Sequence, residues 1–203
     1  MKLYFSPGAC SLSPHIIAHE IGLSLALQRV DTSTKKTADG RDFWAINPKG
    51  YVPALELEDG ALLTEGPTIV QYLADLRPEA KLVPPAGTIE RYRVQEMLGY
   101  INSEVHKTYS PLFNPKTLPE TREDRLAYLR KRYALLDKQL ANGPYLFGEQ
   151  FTVADAYLFT VTRWAGAVKL DLADFPNLRA FQDRVAARPA VIAALAAEGT
   201  GKK

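Results

Sequence analysis

The spacing of apolar residues changes once along this chain, near residue 80, and that change limits the folds it can adopt. Before it, short apolar and aromatic runs alternate with segments of helical spacing, in the order β-α-β-(α)-β-β-α. The stretch 78–88 is rich in proline and glycine, and only helical spacing follows it. We therefore predict an α/β domain at 1–80, a linker at 81–88 and an all-α domain at 89–203.

Local signals mark the ends of several of these elements. The pair Asp59-Gly60, between two apolar runs, is typical of a two-residue hairpin turn. In the second half, the apolar run 151–168 predicts a buried central helix. Thr152 and Asp155 near its start match a capping box, in which both side chains bond first-turn amides. We assign this box to folding and not to catalysis.

Composition excludes several classes of protein. Lysine and arginine number 25 against 23 acidic residues and are scattered, so no nucleic-acid partner is expected. A single cysteine cannot form an internal disulfide, which fits a reducing compartment. The first apolar stretch breaks at Pro7 and Gly8, and no run of about 18 apolar residues follows. We therefore expect a cytoplasmic protein with no membrane partner.

The single cysteine, Cys10, lies between the first predicted strand and the first predicted helix. A helix N-terminus offers unpaired amides and the positive end of the helix dipole, both of which favour a thiolate. The alternative is that Cys10 is a small buried hydrophobic residue, as lone cysteines often are. Ser13 stands where a C-x-x-C motif has its second cysteine, so a dithiol disulfide exchanger is disfavoured.

Two further stretches can hold a ligand through the backbone. Pro53, at the start of a predicted strand, requires the edge of a sheet or a cis peptide bond. The backbone groups of Val52 are then open to pairing with an extended peptide. The alternative is that Pro53 only marks the start of the strand. In "TEGP", Gly66 places open amides at a helix N-terminus, where a carboxylate can bind, and Glu65 suits an ammonium group. The same tetrapeptide is also a common helix start.

Together, "SPGACSLSPHI", the "VP" step, the acidic residue before the third helix and "SEVHK" resemble the cytosolic glutathione transferases, and within them the bacterial beta class. The resemblance covers essentially the whole chain. It implies a thioredoxin-like βαβαββα domain with a cis Pro53, and an all-α domain that contributes a hydrophobic substrate site. It also implies a homodimer acting in detoxification, with glutathione as co-substrate, no other cofactor and no metal.

The resemblance assigns roles residue by residue. Cys10 lies against the glutathione sulfur, and Cys10 and His106 are the catalytic residues. The remaining glutathione contacts in the N-terminal half are Lys35 for the glycine carboxylate, Val52 and Pro53 for the cysteinyl backbone, and Glu65 and Gly66 for the γ-glutamyl head. From the helical half, His106 and Lys107 approach the sulfur and carboxylates, while Ser103 and Glu104 reach the glutathione of a partner subunit. We place Tyr109, Phe113 and Trp164 on the hydrophobic substrate wall.

Two positions depart from the commoner beta-class pattern. A serine often stands at Gly66 and an asparagine at Gly99, so one or two side-chain hydrogen bonds to the γ-glutamyl group are missing here. A hydrogen bond to a charged group is worth about 1.5–3 kcal/mol, so weaker glutathione binding is expected. Tyr4 and Ser11 either donate a hydrogen bond to the sulfur or have a structural role.

The sequence therefore predicts a glutathione S-transferase that conjugates the glutathione thiolate to hydrophobic electrophiles, with thiol-transferase or peroxidase side activity through Cys10. Two alternatives stay open. One is a glutathione-dependent thiol-disulfide oxidoreductase that uses Cys10 as nucleophile, and the other is a non-enzymatic carrier of hydrophobic ligands. Loss of Cys10 would abolish thiol transfer and leave conjugation largely intact.

Overall fold

A computed structural model describes residues 1–200, which form two compact units. The N-terminal unit contains Met1–Val83 and residues 187–200, and the helical unit contains Pro84–Ala186. The boundary after Val83 lies inside the stretch predicted as a linker. No helix among residues 1–200 is long and apolar enough to cross a membrane.

The N-terminal unit is built on a five-stranded sheet with the order β3-β2-β1-β4-β5. Strands β1 and β2 are parallel, and the other neighbouring pairs are antiparallel. The strands are β1 (Lys2–Phe5), β2 (Ala26–Asp31), β3 (Lys36–Thr37), β4 (Ala54–Glu56) and β5 (Leu62–Thr64). The helices of this sequence segment are α1 (Leu12–Glu20), α2 (Phe43–Ile46), α3 (Gly66–Asp75) and a 3-10 turn at Pro78–Ala80.

This arrangement confirms the predicted α/β class and thioredoxin-like order, with one addition. Strand β3 was not predicted, because two residues are too few to show the alternation that marks a strand. The predicted hairpin is present as β4 and β5, with Leu55 opposite Leu63. Its turn is longer than the predicted two residues, because the Leu57 N–H donates to the Ala61 carbonyl and leaves three residues, 58–60, between them. At its turn, Gly60 has a φ of 84°, in the left-handed region that glycine adopts without strain.

A buried cluster under the sheet sets the position of the loops that carry the candidate site. Its members come from β1, β2, α2, the start of β4 and the residue two before β4: Tyr4, Val30, Phe43, Ala54 and Val52. Ala9, in the loop after β1, packs against the same cluster. The core of the N-terminal unit therefore supports both the loop before α1 and the loop before β4.

The last helix, α9 (Pro189–Ala197), packs against α1 within the N-terminal unit. The predicted division placed these residues in the helical domain, and the structure differs there. Val191 and Ala194 of α9 are buried, and the Arg188 guanidinium bonds both carboxylate oxygens of Glu20 at 2.7 and 2.9 Å. Helical spacing shows that such a segment is a helix, but it cannot show which neighbour covers its apolar face.

The helical unit contains most of the second half of the chain. Its α-helices are α4 (Ile89–Tyr100), α5 (Lys107–Tyr109), α6 (Pro119–Leu140), α7 (Val153–Thr162) and α8 (Pro176–Ala186). Every residue of α7 is buried, as predicted for the central helix, and the chain continues from it as a 3-10 helix at Arg163–Val168. The predicted capping box is confirmed, since Thr152 and Asp155 bond each other's backbone at the start of α7.

Between α4 and α5 the chain forms a π-helix at Ile101–His106, where the sequence indicated one continuous helix. A π-helix has i→i+5 hydrogen bonds and therefore a wider turn than an α-helix. Asn102 and His106 both belong to this segment and are four residues apart, a spacing that also shares one face of an α-helix.

Candidate functional site

The loop between β1 and α1 carries Cys10 and is held closed by a serine. The Ser11 hydroxyl donates to the Ser6 carbonyl at 3.2 Å and accepts from the Ser6 N–H at 3.1 Å. Ser11 is the N-cap of α1, but its side chain does not cap the helix because it is used in this loop. Its role in the N-terminal unit is therefore structural, and the same holds for Tyr4, whose hydroxyl donates to Glu56 at 2.7 Å.

The half-buried Cys10 thiol donates to the carbonyl of Val52 at 3.2 Å. Burial is the largest influence on the thiol and raises its pKa to about 12. The backbone N–H groups of Cys10 and Ser11 act in the opposite direction, and the charges of Glu65 and Glu198 raise the pKa further. The expectation that the helix terminus favours a thiolate is therefore not met, because burial and two negative charges outweigh the amides. Cys10 is a neutral hydrogen-bond donor at pH 7.

The Val52-Pro53 bond is cis, as the family resemblance implied. Val52 is buried in the core cluster, so its carbonyl is held rigidly beside the cysteine sulfur. A Cβ built on Gly66 would lie 3.7 Å from Cγ of Pro53, at ordinary contact distance. The start of α3 thus lies against the cis proline, and the structure brings the predicted site residues Cys10, Val52, Pro53 and Gly66 together.

Glu65 precedes α3 with a φ of 69°, in the left-handed region that is costly for a residue with a side chain. This conformation lets its carbonyl accept from Thr68 and Ile69 N–H at 3.0 and 2.9 Å and so begin the helix. The exposed carboxylate pairs with the ammonium of Lys49 at 2.7 Å. Glu65 therefore presents a carboxylate at the rim of the site, where a cationic group can share it.

Lys35 also has a left-handed φ, of 57°. Its ammonium donates to the Gly50 carbonyl at 2.9 Å and lies 5.7 Å and 5.6 Å from the ring centroids of Trp44 and Tyr51. The backbone and two aromatic faces thus hold this charge in one place, which suits a carboxylate ligand. In the predicted role, this is the glycine carboxylate of glutathione.

In the helical unit, His106 belongs to a chain of hydrogen bonds with Tyr157 and Asn102. The Tyr157 hydroxyl donates to Oδ1 of Asn102 at 2.8 Å, and His106 Nδ1 lies 2.6 Å from the same hydroxyl. Because that hydroxyl has a single proton, it must accept from Nδ1–H of His106. Burial, and then the charge of Lys107, lowers the pKa of His106 to about 4. His106 is therefore neutral at pH 7, with a lone pair on Nε2.

The three aromatic residues predicted for a substrate wall lie together beside His106. Their ring centroids are 5.5 to 5.9 Å apart, and the Trp164 ring is 4.9 Å from the His106 ring. Tyr109 is fully buried and its hydroxyl bonds that of Tyr133, whereas Phe113 is half exposed. The cluster therefore offers an apolar face of which Phe113 is the open part.

The remaining predicted residues of this unit have partners of their own. Ser103 donates to the Gly99 carbonyl at 3.0 Å. The Glu104 carboxylate bonds the Tyr128 hydroxyl and pairs with Arg132 at 3.0 Å. Lys107 is exposed. Among residues 1–200, no group of three or more histidine, cysteine, aspartate or glutamate side chains could hold a metal ion.

Sequence reasoning missed the partners that orient these groups. From the sequence, Tyr157 was treated only as part of an apolar helix. A buried tyrosine hydroxyl needs a polar partner, and this requirement could have drawn attention to Tyr157. Asn102 was not singled out, although it is four residues before His106 and so lies on the same helical face. Glu198 had no signal, because its contacts lie in the first 15 residues of the chain.

Comparison with known proteins relates this geometry to a family. Two family models match, described as the N-terminal domain (residues 8–76) and the C-terminal domain (residues 100–189) of glutathione S-transferase. The chain is 48% identical to Glutathione S-transferase GstA of Escherichia coli O157:H7 over 199 residues, which cover 98% of this chain and 99% of the relative. Two solved structures are each 44% identical to this chain. The bacterial beta class enzyme of Sphingomonas chungbukensis has a TM-score of 0.95, covering 98% of this chain and all of that chain. A sphingomonad glutathione S-transferase complexed with glutathione has a TM-score of 0.94, covering 98% and 99%.

Proposed function

The chain belongs to the glutathione S-transferase family and is a glutathione transferase, and we propose that it joins the glutathione thiolate to electrophilic, mainly apolar substrates. The observation that carries this proposal is the hydrogen bond from Cys10 to the Val52 carbonyl. If the cysteinyl backbone of glutathione pairs with Val52, the glutathione sulfur comes to lie beside the Cys10 sulfur. The cysteine then neighbours the reacting thiol and is not itself the nucleophile.

The other contacts of glutathione follow the charges of the N-terminal unit. Lys35, held by Gly50 and two aromatic rings, receives the glycine carboxylate. The Glu65 carboxylate, which pairs with Lys49 in the structure, binds the γ-glutamyl ammonium in place of Lys49 or together with it. The Gly66 N–H at the start of α3 binds the γ-glutamyl carboxylate. Each end of the tripeptide thus meets a charge of the opposite sign.

His106 accepts a hydrogen bond from the glutathione thiol in this proposal. Its Nε2 has a lone pair at neutral pH, and a pKa of about 4 keeps the imidazole unprotonated, so that it acts as a hydrogen-bond acceptor. Lys107 contributes a positive charge toward the tripeptide. Tyr109, Phe113 and Trp164 receive the electrophile. The protein acts in this proposal as a cytoplasmic homodimer with a role in detoxification. Ser103 and Glu104 then contact the glutathione of the partner subunit, and the Glu104 carboxylate binds both that glutathione and Arg132.

The raised pKa of Cys10 argues against the rival thiol-disulfide oxidoreductase. A nucleophilic cysteine needs a thiolate, and here burial and two carboxylates keep the thiol protonated. The intact set of Cys10, Pro53, Glu65 and His106 argues against a carrier that has lost catalysis. Thiol transfer or peroxidase chemistry through Cys10 is accordingly a side activity.

Replacement of Cys10 by alanine tests this order of activities. We expect the variant to keep conjugation of millimolar glutathione to a generic aryl halide within about threefold, because the alanine leaves the amides of the loop in place. Thiol-transferase activity toward a glutathionylated substrate should vanish. Loss of both activities would make Cys10 the nucleophile. An unmodified protein that neither conjugates glutathione nor binds it in calorimetry would overturn the proposed function.

A further inference from the structure

Glu198 is a buried carboxylate that contacts the loop carrying Cys10. It follows the last residue of α9, and its side chain is completely buried. Neither family model reaches it, since they end at residues 76 and 189.

Both oxygens of Glu198 have partners in the first 15 residues. Oε2 accepts from the Gly8 N–H at 2.9 Å, and Oε1 lies 3.2 Å from Nδ1 of His15 in α1. Gly8 is two residues before Cys10 and has a φ of 71°. A Cβ on Gly8 would lie 3.8 Å from the Thr200 side chain, so the loop lies against the same C-terminal segment.

Attachment of α9 alone does not require this carboxylate. The helix is already joined to α1 by apolar packing and by the bidentate pair of Arg188 with Glu20. A buried charge costs several kcal/mol in lost solvation, and apolar side chains of similar size often replace it without loss of stability. The position of Glu198, bonded to the backbone two residues from Cys10, indicates a task at the loop.

The charge of Glu198 also acts on the cysteine sulfur. After burial, which has the largest effect, the charges of Glu65 before α3 and of Glu198 in the C-terminal segment also raise the pKa of Cys10. A thiolate on Cys10 would repel a glutathione thiolate formed beside it, and like charges in one site oppose each other's ionisation. A neutral Cys10 can instead donate its proton in a hydrogen bond.

We propose that Glu198 is a positioning residue for Cys10, which holds the Ser6–Cys10 loop through Gly8 and places a buried carboxylate against that loop. The proposal deepens the proposed function. It rests on that function only for the placement of the glutathione thiol beside Cys10.

The charge is tested with Glu198→Gln. Glutamine can still accept from the Gly8 N–H, but it has no charge. Because the sequence contains a single cysteine, alkylation by iodoacetamide reports on Cys10 alone. We expect alkylation at pH 8 to become at least about threefold faster, because the glutamine removes a negative charge that opposes ionisation of the thiol. The pH profile of the rate should shift to lower pH.

Glu20→Gln is the matched control. It also removes a carboxylate that joins the C-terminal segment to α1, but Glu20 does not contact the loop. Its alkylation rate should equal that of the unmodified protein. An unchanged or slower rate in Glu198→Gln, or an equal acceleration in Glu20→Gln, would overturn the proposal, because the effect would then be a general loosening of α9.

Glu198→Asp separates the bond from the charge and serves if the glutamine variant does not fold. Aspartate keeps the charge, but its side chain is one methylene shorter and loses the bond to Gly8. We expect alkylation within about twofold of the unmodified protein and kcat/KM for glutathione conjugation lowered about fivefold, because the loop is no longer held. Unchanged kcat/KM would refute the positioning role. Alkylation needs no glutathione, so absent conjugation in the unmodified protein would overturn the proposed function and leave the alkylation result interpretable.

Discussion

Tyr157→Phe tests whether the hydrogen-bond chain in the helical unit sets the protonation of His106. The change removes one oxygen and keeps the ring, whose edge contact with the histidine ring, at 5.8 Å between centroids, survives. Two hydrogen bonds are lost, one of 2.6 Å with His106 Nδ1 and one of 2.8 Å with Asn102. The proton of His106 is then no longer directed to Nδ1.

The expected magnitudes follow from these two bonds. A buried hydrogen bond contributes about 1 kcal/mol net, and a partner left unsatisfied adds to the loss, so the free energy of unfolding should fall by about 1–3 kcal/mol. With the tautomer no longer selected, part of the protein has its proton on Nε2 and cannot accept a hydrogen bond from the thiol. We expect kcat/KM for conjugation to fall about tenfold, which corresponds to about 1.4 kcal/mol in the barrier.

The assay is steady-state conjugation across pH 5 to 9, with urea unfolding on the same preparations. Thr160→Val is the matched control, because it removes a buried hydroxyl from the same helix whose 2.8 Å bond goes to the Ala156 carbonyl and not to His106. The control should lose about 1 kcal/mol of stability and retain activity within twofold. The reasoning fails if Tyr157→Phe keeps full kcat/KM, or if the control loses activity to the same extent.

Two further predictions concern ligand affinity and folding. Gly66→Ser should tighten glutathione binding by about tenfold in calorimetry, because the serine hydroxyl adds a hydrogen bond to the γ-glutamyl group. The new Cβ fits, since it meets only Pro53, at 3.7 Å. Unchanged or weaker affinity would exclude that bond. Asp155→Ala should lower the free energy of unfolding at pH 7 by about 2–4 kcal/mol in urea titrations. The Asp155 carboxylate accepts from the Thr152 N–H and hydroxyl and from the Leu146 N–H, each at 2.8 Å, and the variant loses all three bonds. A loss below about 0.5 kcal/mol would contradict this. Burial raises the pKa of Asp155 to about 6 in the folded protein, above its unfolded value, so the stability difference between unmodified protein and variant should be largest below pH 4 and shrink as pH rises through 6; a difference that grows over this range would refute the assignment.

The local elements of this protein could be read from its sequence because each has a local cause. The hairpin depends on the two residues Asp59 and Gly60, and the capping box on Thr152 and Asp155, three residues apart. The family resemblance supplied the cis bond at Pro53, which the structure contains. Strand β3 and the π-helix escaped prediction, the first because it is two residues long and the second because a widened turn changes hydrogen bonding without changing composition.

The sequence by itself determined the α/β order of the first half, the helical character of the second and the presence of one thiol at a strand-to-helix loop. Only the tertiary structure decided the state of that thiol. The helix terminus favours a thiolate, whereas burial, Glu65 and Glu198 favour the protonated form and prevail. Glu198 is 188 residues from Cys10 along the chain, and electrostatic interactions depend on distance in space, so no local pattern could have revealed it.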